Sequence, residues 1–360
     1  MTTLSASVRL DPELLDPVFE ELAANVRGGT VPTAALAIGD ADGPIRIESF
    51  AAQADRRVNR DSVYFLASLT KPIVATAGMQ LVEAGLLDLH APIAQRLPTF
   101  VGPGKDKVTA WHLLTHTSGV RDVMADLITR ERPSAARMTE LASKTELDFE
   151  PGTRWAYCSS SFYLLGELIR SITGLTYRRY LRERLLEPLE MAHTTFDPRR
   201  LGRHLVPVHG VGADNRVKRF FLLRYLVSIA PPGGGLWGTL DDLLRFGAAL
   251  LRPRGSTEAP IPLSPTTIAL MGEDHTRGIQ GTMDGEEQPV HFGLGWGKPT
   301  LAGSMPGSPR VISHGGATGG RLWIDPDADL VFVYFTNQWA PERGPEQTAL
   351  RATYRAFEGR

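Results

Sequence analysis

Ser68 and Lys71 stand three residues apart in Ser68-Leu-Thr-Lys71. On a helix this spacing puts both side chains on one face, within hydrogen-bond reach. A serine hydroxyl is a weak nucleophile until a base takes its proton. A neighbouring lysine can be that base if burial or a cationic neighbour lowers its pKa from about 10.4. A serine at a helix start also sets backbone N–H groups beside the oxygen that becomes negative when a carbonyl is attacked. Alone, the pattern is weak. Serine and lysine are common, a surface helix start accounts for both, and Pro72 merely fits a first helical turn.

Three other patterns carry less. His112-Leu-Leu-Thr-His116 has two histidines at helical spacing, but Leu113 stands where a zinc protease needs glutamate. Gly233-Gly-Gly-Leu-Trp-Gly238 has the glycine spacing of a dinucleotide loop but follows Pro231-Pro232 rather than a strand. Gly293-Leu-Gly-Trp-Gly-Lys298 lacks the spacing and the Ser or Thr of a phosphate loop, and no G-x-S-x-G elbow occurs. Neither a metal nor an organic cofactor is expected.

The Ser68 helix should run through Val74, Ala75, Met79 and Leu81 to a stop at Gly85. Before it, Asp11 to Val26 has helical spacing, and Thr33–Ile38 and Ile45–Ala52 read as strands around a turn at Gly39 to Gly43. From about Ala91 to Met283 the chain reads as mostly helical, with clear helices over Ser160–Thr173 and Asp241–Leu251. Strands return over His291–Gly297, Val311–His314, Gly320–Ile324 and Leu330–Thr336, and Glu346–Glu358 closes the chain as a helix. The expected fold is α+β. Residues 1–75 and 290–360 form one antiparallel sheet lobe flanked by terminal helices, and residues 76–289 form an inserted, mostly helical lobe. A site would lie in the cleft between them.

At 360 residues the chain exceeds the usual span of one hydrophobic core, so two subdomains within one catalytic domain are expected. The formal net charge of −1 gives no field that would steer it to nucleic acid or a membrane. The pairs Arg178-Arg179 and Arg199-Arg200 lie among acids and read as solvated faces rather than phosphate sites. The single cysteine, Cys158, allows no internal disulfide. The first residues lack a basic start and an apolar core, and no apolar run is long enough to span a bilayer, so a cytoplasmic location is expected. The oligomeric state is left open.

Blocks spread along the chain add context to Ser68. Val63 to Pro72 is an apolar approach to S-x-x-K, followed by Leu81 to Leu89, Leu113-Leu-Thr-His-Thr-Ser-Gly-Val120, Pro151 to Ile169 and Ser313-His-Gly-Gly-Ala-Thr-Gly-Gly320. In this order, over about residues 30 to 340, they resemble the serine β-lactamase-related superfamily. That superfamily includes class C β-lactamases, D-alanyl-D-alanine carboxypeptidases and family VIII carboxylesterases, and the character here is nearest the last. The resemblance implies a β-lactamase/transpeptidase-like fold with Ser68 as the acylated nucleophile and Lys71 as its partner. Tyr157 would match the tyrosine of the family's Y-x-N block and pass a proton to the leaving group. His314-Gly315-Gly316 would stand where many members have K-T-G, and the N–H groups of Ser68 and Ala317 would form the oxyanion hole.

Two departures bear on the substrate. Ser159 stands where Y-x-N has asparagine, and serine lacks the amide's paired donor and acceptor. His314 replaces a permanent cation with one that is charged only when protonated, and Gly315 removes a hydroxyl. Both changes weaken recognition of an acylamino carboxylate and matter little for a neutral ester. The expectation is therefore a carboxylesterase acting on small to medium esters. The alternatives are a β-lactamase, D-amino-acid peptidase or amidase, an acyltransferase, and a catalytically silent binding or scaffold protein. Arg321 is a candidate for holding a carboxylate. Trp237, and less so Trp339, are candidates for lining the substrate pocket. If His314 takes part in turnover, activity should inflect where histidine titrates.

Overall fold

The computed structural model describes residues 10–52, 58–123, 131–210, 216–252, 262–283, 285–303 and 305–358. Five strands form one antiparallel sheet: β1 (Thr33–Asp40), β2 (Gly43–Ala51), β7 (Ile312–Gly316), β8 (Gly320–Asp325) and β9 (Leu330–Phe335), in the order β2-β1-β9-β8-β7, and outside it β3 (Tyr64–Phe65) pairs with β4 (Trp237–Gly238) and β5 (Gln280–Met283) with β6 (Glu286–Pro289). Both ends of the chain thus build one sheet, as the sequence leads one to expect.

The central strands are apolar on both faces. On β1, Ala34, Leu36 and Ile38 pack with the terminal helices α1 (Asp16–Arg27) and α10 (Gly344–Glu358), whereas Ala35 and Ala37 join the core beneath the nucleophile. Period-two side-chain alternation explains how one strand serves two cores. Each fully buried leucine or phenylalanine in them contributes about 2 kcal/mol of transfer free energy.

Between the strand groups lie the helices α2 (Thr70–Glu83), α3 (Ala110–Leu114), α4 (Ala135–Lys144), α5 (Ser160–Thr173), α6 (Tyr177–Leu181), α7 (Arg216–Ile229), α8 (Leu240–Leu251) and α9 (Pro265–Met271). Nearly all of α2 is buried, including Lys71. A helix that is apolar all round belongs in the interior. Gly78 lets it approach α5, since a Cβ there would lie 3.2 Å from Leu165 Cδ1. Helix α8 falls in the segment assigned to the inserted lobe, yet it lies on the sheet. A Cβ on its Gly247 would stand 2.5 Å from Val331 Cγ1 on β9.

His291–Gly297 is not a strand. It folds back on itself, with Phe292 paired to Gly297 and the Gly293 N–H donating to Trp296 O at 2.6 Å. The apolar alternation that suggests a strand comes from Phe292, Leu294 and Trp296, all buried. The glycines between them permit the turn, and Gly295 has φ +82°.

Candidate active site

Ser68 sits in a single 3₁₀ turn, Ala67–Leu69, that leads directly into α2. Ala67 adopts φ +46°, a left-handed conformation that costs a non-glycine residue about 1 kcal/mol or more. The turn is held from three directions. Thr318 Oγ1 donates to Phe65 O at 2.8 Å, the Leu236 N–H donates to Thr70 Oγ1 at 3.1 Å, and β3 (Tyr64–Phe65) pairs with β4 (Trp237–Gly238). The end of β7 presses on the same turn. A Cβ on Gly316 would meet Leu66 O at 2.7 Å, which only glycine avoids.

Lys71 is 1% exposed and gathers the remaining groups. Its Nζ lies 3.5 Å from Ser68 Oγ and 3.3 Å from Ser159 Oγ, and it donates to Gly233 O at 2.7 Å. It also stands 4.6 Å from the centre of the Tyr157 ring and 5.4 Å from that of Phe162. Three segments far apart in sequence therefore converge on one amine. The Tyr157 ring is 39% exposed and so open to a ligand. Ser159 precedes α5, and Asp122 holds that helix start. Its carboxylate accepts from the Ser159 N–H at 2.7 Å and from Ser160 Oγ at 3.2 Å.

His314 projects from β7 beside Tyr157, with ring centres 6.2 Å apart, and is buried. Burial, with the Lys71 charge acting the same way, pushes its pKa down to about 3. It is thus neutral across the physiological range, not the part-time cation expected from its place in the K-T-G position. Its Nδ1 lies 2.8 Å from Gly315 O, so the ring proton belongs there. Gly315 faces the other side of the sheet, where a Cβ would sit 3.4 Å from Arg321 Nη1. Arg321 in turn is bound to Glu346 of α10 at 2.6 Å and is unavailable as a carboxylate clamp. Ala317 follows β7 directly, and its carbonyl accepts from the Ala340 N–H at 2.8 Å.

Trp237 is buried against Phe65, with ring centres 4.9 Å apart, and packs under Ala67 rather than lining an open pocket. Trp339 is exposed.

Two residues at the site escape the sequence reading. In the sequence Gly233 reads only as part of a glycine-rich stretch, yet it is the closest polar partner of Lys71. A Cβ there would stand 3.2 Å from Nζ. In the sequence His116 reads only as half of a candidate metal pair with His112. The two rings serve different places. His112 Nδ1 accepts from the Thr109 N–H at 3.1 Å, whereas His116 Nδ1 accepts from the Cys158 N–H at 3.1 Å. Among the described residues no group of three His, Cys, Asp or Glu side chains could hold a metal ion. His116 is wholly buried, stacks on Tyr157 with ring centres 4.6 Å apart, and touches Trp155, Phe162 and Phe292. Burial first, then the Lys71 charge, drives its pKa well below the ordinary value, so it too is neutral. Its place inside the Leu113–Val120 block is the one signal in the sequence, and spacing alone gives it no role.

The family model described as Beta-lactamase matches residues 16–356. The chain belongs to the Beta-lactamase family. Its membership fits the geometry, since the fold is that of the family's serine hydrolases. Relatives with different names share it. Esterase EstB of Burkholderia gladioli is 30% identical over 94% of this chain and 93% of its own length. Penicillin-binding protein 4 of Amycolatopsis lactamdurans is 29% identical over 78% of this chain and 73% of its own. A penicillin-binding protein homologue from Caulobacter crescentus superposes with a TM-score of 0.79 at 20% identity, covering 97% and 99% of the two chains. Family membership places the chain in the β-lactamase-fold serine hydrolase superfamily and leaves the reaction and substrate to the site itself. Among the described residues no helix is long and apolar enough to cross a membrane.

Proposed function

We propose that this protein is a carboxylesterase that works through an acyl-enzyme on Ser68. Ser68 Oγ attacks the ester carbonyl while its proton passes to Lys71, which stands 3.5 Å away and acts here from its free-amine form. The N–H groups of Ser68 and Ala317 receive the negative carbonyl oxygen. The C–O bond of the ester then breaks, and Tyr157 gives its phenolic proton to the departing alcohol while taking the proton that Lys71 holds, which returns both to their starting forms. Water attacks the acyl-enzyme by the reverse proton route, releasing the carboxylic acid and restoring Ser68.

The observation that carries the ester reading is the neutral His314. A β-lactam or a D-alanyl-D-alanine end presents a carboxylate, and the position that would meet it holds an uncharged, buried ring instead of an ammonium. Arg321 is occupied by Glu346. A neutral ester asks for no cation. The likeness to Esterase EstB over nearly the full length of both chains supports the same choice.

The test is hydrolysis of short- and medium-chain p-nitrophenyl esters beside a chromogenic cephalosporin, with Ser68→Ala as control. Ester turnover that disappears in the variant, with little cephalosporin cleavage, is expected. Preferential cephalosporin cleavage would overturn the ester assignment.

A further inference from the structure

The two arginine pairs that read as separate solvated faces in the sequence meet at one place in the fold. A cavity of about 1200 Å³ lies between α6, the chain around Met191 to Leu201, and α7. Arg178 and Arg179 of α6, Arg182 just after it, Arg199 and Arg200, and Arg224 of α7 all line it. Only Glu187, Glu190 and Asp197 oppose these six arginines among the lining residues.

The acids are already shared. Asp197 lies 2.7 Å from Arg199 and 3.6 Å from Arg200. Glu183, outside the cavity, serves both Arg179 at 2.7 Å and Arg182 at 3.1 Å, and Glu187 lies 3.5 Å from Arg182. Glu190 turns to Arg245, 3.1 Å away and also outside. Arg224 stands over the Phe220 ring at 5.6 Å. Neither Arg178 nor Arg224 has a carboxylate partner among the described residues. The cavity is therefore under-compensated, in a chain whose formal net charge is only −1.

Its floor has the opposite character. Leu186, Met191, Phe196 and Val227 line it and are buried. An apolar floor under a cationic rim suits a ligand with an apolar tail and an anionic head, because the tail leaves water while guanidinium groups grip carboxylate or phosphate.

We propose that this cavity binds an anionic amphiphile, its carboxylate or phosphate head held by Arg178, Arg200 and Arg224 and its tail on the floor. The site is separate from the catalytic cleft. Thr195 on its wall exchanges backbone hydrogen bonds of 2.9 and 2.8 Å with Trp237, and Trp237 pairs with Phe65, so a layer of strand stands between it and Ser68.

Binding of decyl phosphate and of decanoate, below their micelle concentrations, to the full-length Ser68→Ala protein by calorimetry tests this. Decyl maltoside and decyltrimethylammonium supply the same tail on neutral and cationic heads, and inorganic phosphate supplies the head alone. The triple variant Arg178→Ala, Arg200→Ala, Arg224→Ala changes only exposed side chains and should fold. It should weaken the anionic probes by roughly tenfold or more, the loss of charge-assisted contacts. Ala192→Trp, which fills the lined space without changing charge, should weaken them as well. The neutral and cationic probes and free phosphate should bind far more weakly. Decyl phosphate binding the triple variant as tightly as the parent, or decyl maltoside binding the parent as tightly as decyl phosphate, would overturn the proposal. Preference for phosphate over carboxylate, or the reverse, identifies the head.

Discussion

Lys71 Nζ lies closer to the carbonyl oxygen of Gly233, at 2.7 Å, than to Ser68 Oγ, at 3.5 Å. The glycine-rich stretch thus acts as an anchor for the amine. A single strong acceptor fixes one N–H, and the remaining valences of nitrogen point to Ser68 and Ser159.

Gly233→Ala tests that anchor. The added Cβ would stand 3.2 Å from Nζ and 3.3 Å from Phe162 Cβ, so the amine must shift. The expected result is a fall in kcat of roughly tenfold to a hundredfold with KM nearly unchanged, as when proton transfer loses its alignment. Steady-state kinetics with a p-nitrophenyl ester measures it, and the melting temperature should stay within a few degrees. An unchanged kcat would show that the Gly233 contact does not position Lys71.

His116 holds the segment that carries Tyr157, through the Cys158 N–H and by stacking on the phenol ring. It also has φ +60°, which asparagine tolerates and leucine does not. Asparagine can place its Oδ1 where Nδ1 now accepts. His116→Asn should therefore keep much of kcat, and His116→Leu should lose roughly a hundredfold, the order associated with a displaced proton-transfer group. Equal losses in the two variants, with equal melting temperatures, would contradict a positioning role.

His314 is neutral because burial and Lys71 hold its pKa down to about 3. No inflection of activity in the histidine range is therefore expected from this residue. His314→Gln should leave the shape of the pH–rate profile between about pH 5 and pH 8 unaltered, whatever it does to the absolute rate. The loss of a limb in the profile on making this substitution would show that the ring titrates during turnover.

Stability should depend on pH in a definite sense. His116 and His314 refuse protons in the folded state, while the unfolded chain accepts them near the ordinary value of about 6.5. Where the unfolded state binds more protons, stability rises with pH. The contribution is therefore complete above about pH 6.5 and is lost as pH falls from there toward the depressed folded values, at roughly 1 kcal/mol per pH unit for each ring. Urea unfolding at about pH 7 and about pH 5 measures the slope, and His314→Gln should reduce it. A flat response over this range would mean that neither ring is held neutral.

The sequence carries the sheet well, because Ala34–Ile38 and Leu330–Phe335 are continuous apolar runs. It carried Ser68, Lys71 and Tyr157 as candidates through motifs, and the fold brings these residues to one place. It misread His291–Gly297, where alternation with glycine mimics a strand while each glycine serves a turn. It could not show that His314 is neutral, since that depends on what covers the ring, nor that Arg178 and Arg199 share a cavity, since twenty residues of chain separate them. The contribution of His116 was hidden for the same reason. Its partner is a backbone N–H at Cys158, and backbone groups carry no sequence signature.

The most direct test of the central claim is intact-mass analysis after treatment with a fluorophosphonate, followed by peptide mapping. A single adduct on Ser68 is expected, absent from Ser68→Ala and formed much more slowly in Lys71→Ala. An adduct on another residue, or ester hydrolysis that persists in Ser68→Ala, would contradict it.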